Sequence, residues 1–286
     1  MIEYKQHKII PKEYLAKKIK EFLQEDIPNT DKTTEGLISK NAISTAVVQA
    51  EENIVLAGGF LIEQFFGKGF KTKIFYKDGD FIKKGSIIAR IQGSTAEILT
   101  KERVFLNLLQ RLCGIASLTN EYAKIAKPYK VKILDTRKTT PGIRTFEKYA
   151  VTAGGGYNHR LDLSSGILIK DNHIKAAGNI TKAIEKIKKK SYQLPIELEV
   201  ENMNQIREGL KAGVDGFLLD NMKPDKIRKC VQFIRSQKGG KNIFIEASGG
   251  INLSTLKSFV QTGVDAVSVG ALTHSARASN IHIEFL

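Results

Sequence analysis

The chain of 286 residues has only two cysteines, Cys113 and Cys230, far apart in sequence. Both sit in apolar helical patterns, which points to buried free thiols rather than a disulfide framework and suits a reducing, cytoplasmic setting. No apolar run reaches the roughly 18–20 residues that a membrane span needs. The opening residues are polar and mixed in charge, with no apolar stretch leading to a cleavage site, so no secretory signal is read. No Ser-His-Asp or Cys-His set suggests a hydrolase triad, and no spaced Cys/His set suggests zinc. No dinucleotide glycine motif is found. Gly154-Gly155-Gly156 lacks the lysine and hydroxyl residue of a P-loop and follows a helical stretch, so helix termination is the simpler reading. Acidic residues are in the minority, 30 against 45 Lys and Arg, for a formal charge of +15. Excess positive charge favours anionic partners. Much of it is lysine spread along helices, as at Lys182, Lys186, Lys188, Lys189 and Lys190, where a solvated face is the plainer account. Nucleic acid and phosphorylated small molecules are both candidates, and no nucleic-acid recognition motif supports the former.

What is present reads as two kinds of structure. The first part is α+β. Leu15, Ile19, Phe22 and Leu23 place a helix over 13–24. Strands are expected over 43–50, 53–57, 70–76 and 87–91, with a short apolar helix over 60–66. The run 78–93 resembles a hammerhead hairpin and, lacking a carrier lysine at its turn, reads as scaffold. A long helix follows over 96–126, with Gly114 a candidate break and Arg103 and Arg111 expected away from its apolar side. From residue 131 short apolar runs alternate with amphipathic helices. Strands are expected over 131–134, 167–169, 196–200, 216–219, 243–246 and 266–269. Asn179, Pro224 and Asn252 mark helix starts. Residues 212–216 and 262–266 echo one another as helix-to-strand joints. About six βα units imply a parallel sheet, here an open α/β barrel.

In such barrels functional groups gather at the C-terminal strand ends. Here those ends form an unusually polar series: Asp135-Thr136-Arg137-Lys138, Lys170-Asp171-Asn172-His173, Glu199-Val200-Glu201-Asn202, Asp220-Asn221, Glu246-Ala247-Ser248-Gly249-Gly250 and Gly270-Ala271. Together they point to one site for an anionic ligand. The glycine-rich late ends, with the Asn252-capped helix and with Thr273, His274 and Ser275, suit phosphate held by backbone N–H groups. Glu199 and Asp220 end consecutive strands and suit Mg²⁺ with substrate phosphates, against a salt bridge to Lys138 or Lys170 as the alternative. His159, beside Arg160 in a loop feeding the rim, is a further candidate.

At these residues the chain resembles the quinolinate phosphoribosyltransferases. The segment Leu134 to Gly142, the run Gly154 to Arg160 and the run Leu168 to His173 carry the resemblance. Glu102-Arg103, Leu109-Gln110, Glu199-Val200-Glu201, Leu219-Asp220-Asn221, Glu246 to Gly250 and Ser268-Val269-Gly270 extend it over almost the whole chain. The resemblance implies a type II phosphoribosyltransferase fold, an N-terminal α+β sandwich-like domain (1–115) and an open TIM-like barrel (116–272), with 273–286 packing back on the former. It implies transfer of a phosphoribosyl group from phosphoribosyl pyrophosphate to quinolinate, with loss of carbon dioxide, by a homodimer or higher assembly. Arg103 would enter the partner subunit's site. Arg137, Lys138, His159 and Arg160 would surround the quinolinate carboxylates, with Thr136 beside them. Lys170, Glu199 and Asp220 would serve phosphoribosyl pyrophosphate and Mg²⁺. Ser248, Gly249, Gly250, Gly270 and His274 would hold the 5′-phosphate. A sister group tied to molybdenum transport differs around the His-Arg loop and the Lys-Asp-Asn-His segment, where this chain follows the enzymes.

Overall fold

The computed structural model describes residues 2–286, and they form two compact units. In chain order the elements begin α1 (Lys12–Asp26), α2 (Lys32–Leu37), β1 (Ile43–Ala50), β2 (Ile54–Val55), α3 (Phe60–Phe66), β3 (Lys71–Ile74), β4 (Phe81–Ile82) and β5 (Ile87–Ser94). They continue with α4 (Thr95–Ala126), β6 (Lys132–Leu134), α5 (Arg144–Ala153), β7 (Ile167–Ile169), α6 (Asp171–Ala177), α7 (Ile180–Lys188), β8 (Ile196–Val200) and α8 (Met203–Ala212). The chain closes with β9 (Gly216–Asp220), α9 (Pro224–Ser236), β10 (Phe244–Ser248), α10 (Leu253–Val260), β11 (Ala266–Ser268), α11 (Ala271–His274) and β12 (Ile281–Phe285).

One unit comprises His7–Asn120, Thr140–Gly155 and Ser275–Leu286. Its sheet is antiparallel, in the order β12-β1-β5-β3. The expected hairpin over 78–93 is not formed: β4 pairs with β2, while β5 pairs with β1 and β3. Those partners lie outside the local stretch, so adjacency in sequence misled. Gly114 does not break α4. A Cβ there would sit 1.9 Å from the Arg277 carbonyl oxygen, so the glycine admits a neighbouring backbone rather than a kink. Arg111 also differs from expectation. Its guanidinium is held by Glu147 Oε1 and donates to the Ala276 carbonyl, because the fully buried Glu147 needs a cation. Cys113 is a buried free thiol whose pKa burial pushes up to about 12.

The other unit comprises residues up to Gln6, Glu121–Thr139 and Gly156–His274. Its six strands are parallel, in the order β6-β11-β10-β9-β8-β7. The first two strands of the unit end up at the two edges, which is the order of a barrel left open at one seam. Beside β6 the sheet is extended by Tyr157 alone, through an isolated parallel bridge to Leu134. Local chemistry sets the helices on the outside. The side chains of Asn179, Asn202 and Asn252 accept the free N–H groups of the first turns of α7, α8 and α10, and Pro224 opens α9. In β8, Ile196, Leu198 and Val200 share one face, so the two-residue period sets Glu197 and Glu199 on the other.

The polar N-terminal segment carries two residues that belong to this core. Ile2 and Tyr4 pack on Leu134, Phe244 and Ala266. Fully burying a side chain of the size of Ile2 contributes roughly 1.5–3 kcal/mol. Gln6 fixes the segment, accepting the Asn158 N–H and donating to the Asn158 carbonyl. No helix among the described residues is long and apolar enough to cross a membrane.

Candidate active site

Register on the parallel sheet assembles the site. Glu199 pairs with Leu218, Leu218 with Glu246, and Asp220 with Ser248, so these side chains form two rows on one face. Lys170 directly follows β7 and lies level with Glu199, to which its Nζ makes a 2.6 Å ion pair. The strand ends border a cavity of about 680 Å³. Thirteen of the residues to which the resemblance gives a role line it: Thr136, Arg137, Lys138, His159, Arg160, Lys170, Glu199, Asp220, Ser248, Gly249, Gly250, Gly270 and His274; Asn221, Glu246 and Ala271 of the polar strand ends line it as well. Arg103 does not; it lies exposed on α4.

The cationic wall is positioned by buried partners. Asp135, fully buried at the end of β6, accepts from Asn158 Nδ2 and from the His159 backbone N–H. It therefore anchors the loop that carries His159 and Arg160, and is a scaffold rather than a rim group. Arg160 is 6% exposed and donates to the Gly166 carbonyl. Its pKa is lowered, by burial first and then by the neighbouring Arg137 guanidinium. Arg137 Nε is buried with no hydrogen-bond partner among the described residues. Two crowded guanidinium groups, one with an unmet donor, suit a planar carboxylate. Lys138 is exposed at the rim, and its carbonyl accepts from Thr273 Oγ1.

The opposite side offers carboxylates and backbone. Glu199 and Asp220 present hard oxygens from adjacent strands. One oxygen of Glu199 takes Lys170, which realises the salt bridge set out above as the alternative to metal, and Asp220 Oδ2 accepts from Asn221 Nδ2. The β10–α10 turn needs its glycine: Gly249 has φ +96°, and a Cβ would lie 2.2 Å from Asn221 Oδ1. Behind His159 lie two carboxyl groups, Glu197 and Glu246, both fully buried. Burial, and then Glu197 beside it, push Glu246 up to about 8, so it holds its proton at neutral pH. Glu197 was not singled out from sequence, although its alternation with Glu199 on β8 was the available signal. Tyr4 was missed as well.

Known proteins match this chain in sequence and fold. Residues 115–284 match the family described as "Quinolinate phosphoribosyl transferase, C-terminal domain", and residues 31–113 its "N-terminal domain". A protein of Bacillus subtilis named a probable nicotinate-nucleotide pyrophosphorylase (carboxylating) is 42% identical over 274 residues, spanning 94% of this chain and 93% of that one. One so named in Methanocaldococcus jannaschii is 36% identical over 281 residues, spanning 96% and 98%. The solved nicotinate-nucleotide pyrophosphorylase of Francisella tularensis superposes with a TM-score of 0.92 at 33% identity, covering 99% of this chain and 100% of that one. That of Ehrlichia chaffeensis gives 0.90 at 35%, covering 97% and 99%. With matches spanning both units, this chain belongs to the quinolinate phosphoribosyltransferase family and has its type II phosphoribosyltransferase fold.

Proposed function

We propose that the cavity at the strand ends is where the family's reaction takes place in this chain. That reaction joins quinolinate to phosphoribosyl pyrophosphate and gives nicotinate mononucleotide, pyrophosphate and carbon dioxide, in NAD biosynthesis; the chain is a decarboxylating pentosyltransferase. The observation that carries the site is the convergence of Arg137, Lys138, Arg160 and Lys170 on one cavity. Such a wall answers a reactant pair bearing two carboxylates, a phosphate and a pyrophosphate.

In this reading Arg137 and Arg160, with Lys138 and His159, hold the dicarboxylate, and Thr136 shapes that end. Ser248, Gly249, Gly250, Gly270 and His274 take the 5′-phosphate. The pyridine nitrogen then faces the ribose carbon. The bond from that carbon to pyrophosphate breaks, the bond to nitrogen forms, and Lys170 meets the charge that leaves. Positioning and fixed charge supply most of the acceleration. Loss of the carboxylate next to the ring nitrogen leaves an electron pair that the cationic ring stabilises until it takes a proton. The donor set fits Mg²⁺: Glu199 and Asp220 would hold it, Glu199 by the oxygen not given to Lys170. When bound, Mg²⁺ would draw off negative charge from the departing pyrophosphate. Arg103 is assigned to the partner subunit's site in a homodimer, and the buried free thiols fit a cytoplasmic setting.

The test is turnover of quinolinate with phosphoribosyl pyrophosphate and Mg²⁺, reading nicotinate mononucleotide and carbon dioxide. Nicotinate in place of quinolinate is the control. Product from nicotinate, with none from quinolinate, would refute the assignment.

A further inference from the structure

Asn221 lines the cavity and has no part in the reaction as set out above. It directly follows β9, and its φ of 51° lies in the left-handed region. Asparagine tolerates that region better than most residues with a side chain. Its backbone N–H donates to the Ser248 carbonyl at 3.0 Å, just past the register pair of Asp220 and Ser248. The side-chain amide then lies between two parts of the site. Its Nδ2 donates to Asp220 Oδ2 at 2.7 Å. Its Oδ1 lies against Gly249, where a Cβ would come within 2.2 Å of it. Only glycine at 249 leaves the amide where it is. Glu199 is held at one oxygen too, since Lys170 Nζ takes its Oε2 at 2.6 Å. Asp220 Oδ1 and Glu199 Oε1 have no hydrogen-bond or ion-pair partner among the described residues. Each carboxylate is thus left with one oxygen to give. The two holding groups differ in charge. Lys170 offsets the charge of Glu199, whereas the neutral amide orients Asp220 and leaves its charge whole.

We propose that Asn221 is a positioning residue: its amide holds Asp220 by one oxygen so that the other is presented to Mg²⁺ bound together with phosphoribosyl pyrophosphate. This rests on the reading of Glu199 and Asp220 as the residues that hold the ion. A carboxylate tied at one oxygen keeps a fixed plane. An untied one turns about its last bond and must be ordered when the ion arrives. Asn221 acts on the phosphoribosyl end and leaves the ring acid alone.

The experiment is calorimetric titration without turnover, one substrate at a time, on the parent enzyme, Asn221→Gly and Asn221→Ala. Glycine adopts the left-handed backbone freely, so Asn221→Gly removes the amide alone. In Asn221→Gly, Kd for phosphoribosyl pyrophosphate with Mg²⁺ should rise roughly tenfold, while its Kd without Mg²⁺ and Kd for quinolinate stay within about twofold. Asn221→Ala should show the same loss. An unchanged Kd with Mg²⁺ in Asn221→Gly, or an equal rise for quinolinate, would overturn the proposal. So would a loss confined to Asn221→Ala, which would assign the effect to backbone strain. Should neither variant fold, NMR of the parent decides. The Asn221 side-chain amide protons should move further with phosphoribosyl pyrophosphate and Mg²⁺ than with phosphoribosyl pyrophosphate alone, and equal movement overturns the proposal. A parent whose affinity for phosphoribosyl pyrophosphate ignores Mg²⁺ would sink the metal reading and the proposal together; tightening by Mg²⁺ in parent and variants alike would sink the proposal only.

Discussion

Arg137 lines the cavity, its buried Nε has no hydrogen-bond partner among the described residues, and its charge crowds that of Arg160. Each hydrogen bond to a charged group is worth roughly 1.5–3 kcal/mol, so losing a two-bond grip on a carboxylate exceeds one tenfold step in rate. Arg137→Ala should therefore lower kcat/KM for quinolinate by about a hundredfold or more, as steady-state kinetics would read. Arg137→Lys should recover little, because an ammonium cannot reproduce the planar fork. Near-normal turnover in Arg137→Ala would remove the basis for placing quinolinate here. Glu246 carries a second prediction. Burial, then Glu197, hold its proton on in the folded chain to about pH 8, whereas the unfolded chain releases it in the ordinary carboxylate range. Between those limits the folded state binds the extra proton, so this contribution to stability is whole at low pH and is lost as pH rises toward 8. Glu246→Gln should flatten the fall in Tm between about pH 5 and 8 without changing the trend below it. A variant whose Tm profile runs parallel to that of the parent would refute the assignment of a buried, protonated Glu246.

At the scale of elements, the turn from β10 into α10 sets the phosphate end. Gly249 holds φ +96° against Asn221, and Asn252 caps the helix that follows. Gly249→Ala forces a side chain into a space already filled and into a left-handed backbone. It should raise KM for phosphoribosyl pyrophosphate at least about tenfold while sparing KM for quinolinate, since the damage is local to this turn. Equal effects on both constants would show that the turn does not define a separate phosphate subsite. This part of the fold was legible because its signals are local. Asparagine caps, the proline of α9 and the apolar alternation of β8 lie within the elements they define. The polar strand ends stood out for the same reason, and the cavity gathers them in part: Lys170 but not Asp171 or Asn172, and Glu199 but not Glu201 or Asn202. Pairings between distant segments were not legible. The partner of β1 at the end of the chain, β12, and the crossed partners of β2 and β4 depend on closure over long loops. Tyr4 was missed on similar grounds, its partner Glu197 lying 193 residues away and reached only in the folded barrel.

For the whole molecule, the question is whether one chain completes its own site. Thirteen of the fourteen residues assigned from sequence border the cavity, and the fourteenth, Arg103, is an exposed residue of α4 that is not among its lining. An exposed arginine on a helix is common on a chain of charge +15, and a solvated side chain predicts little loss on removal. A dimer in which Arg103 serves the partner subunit's site predicts something no monomer can give. Arg103→Ala and Lys170→Ala should each be nearly inactive alone. In a mixed dimer, one site then joins an intact Lys170 to an intact Arg103 from the other chain, while the second site lacks both. Equal mixing makes half of the dimers mixed, so about a quarter of parental activity should return after subunit exchange. Activity that stays at the level of the separate variants, with mixed dimers verified by mass, would show that Arg103 serves its own chain or none.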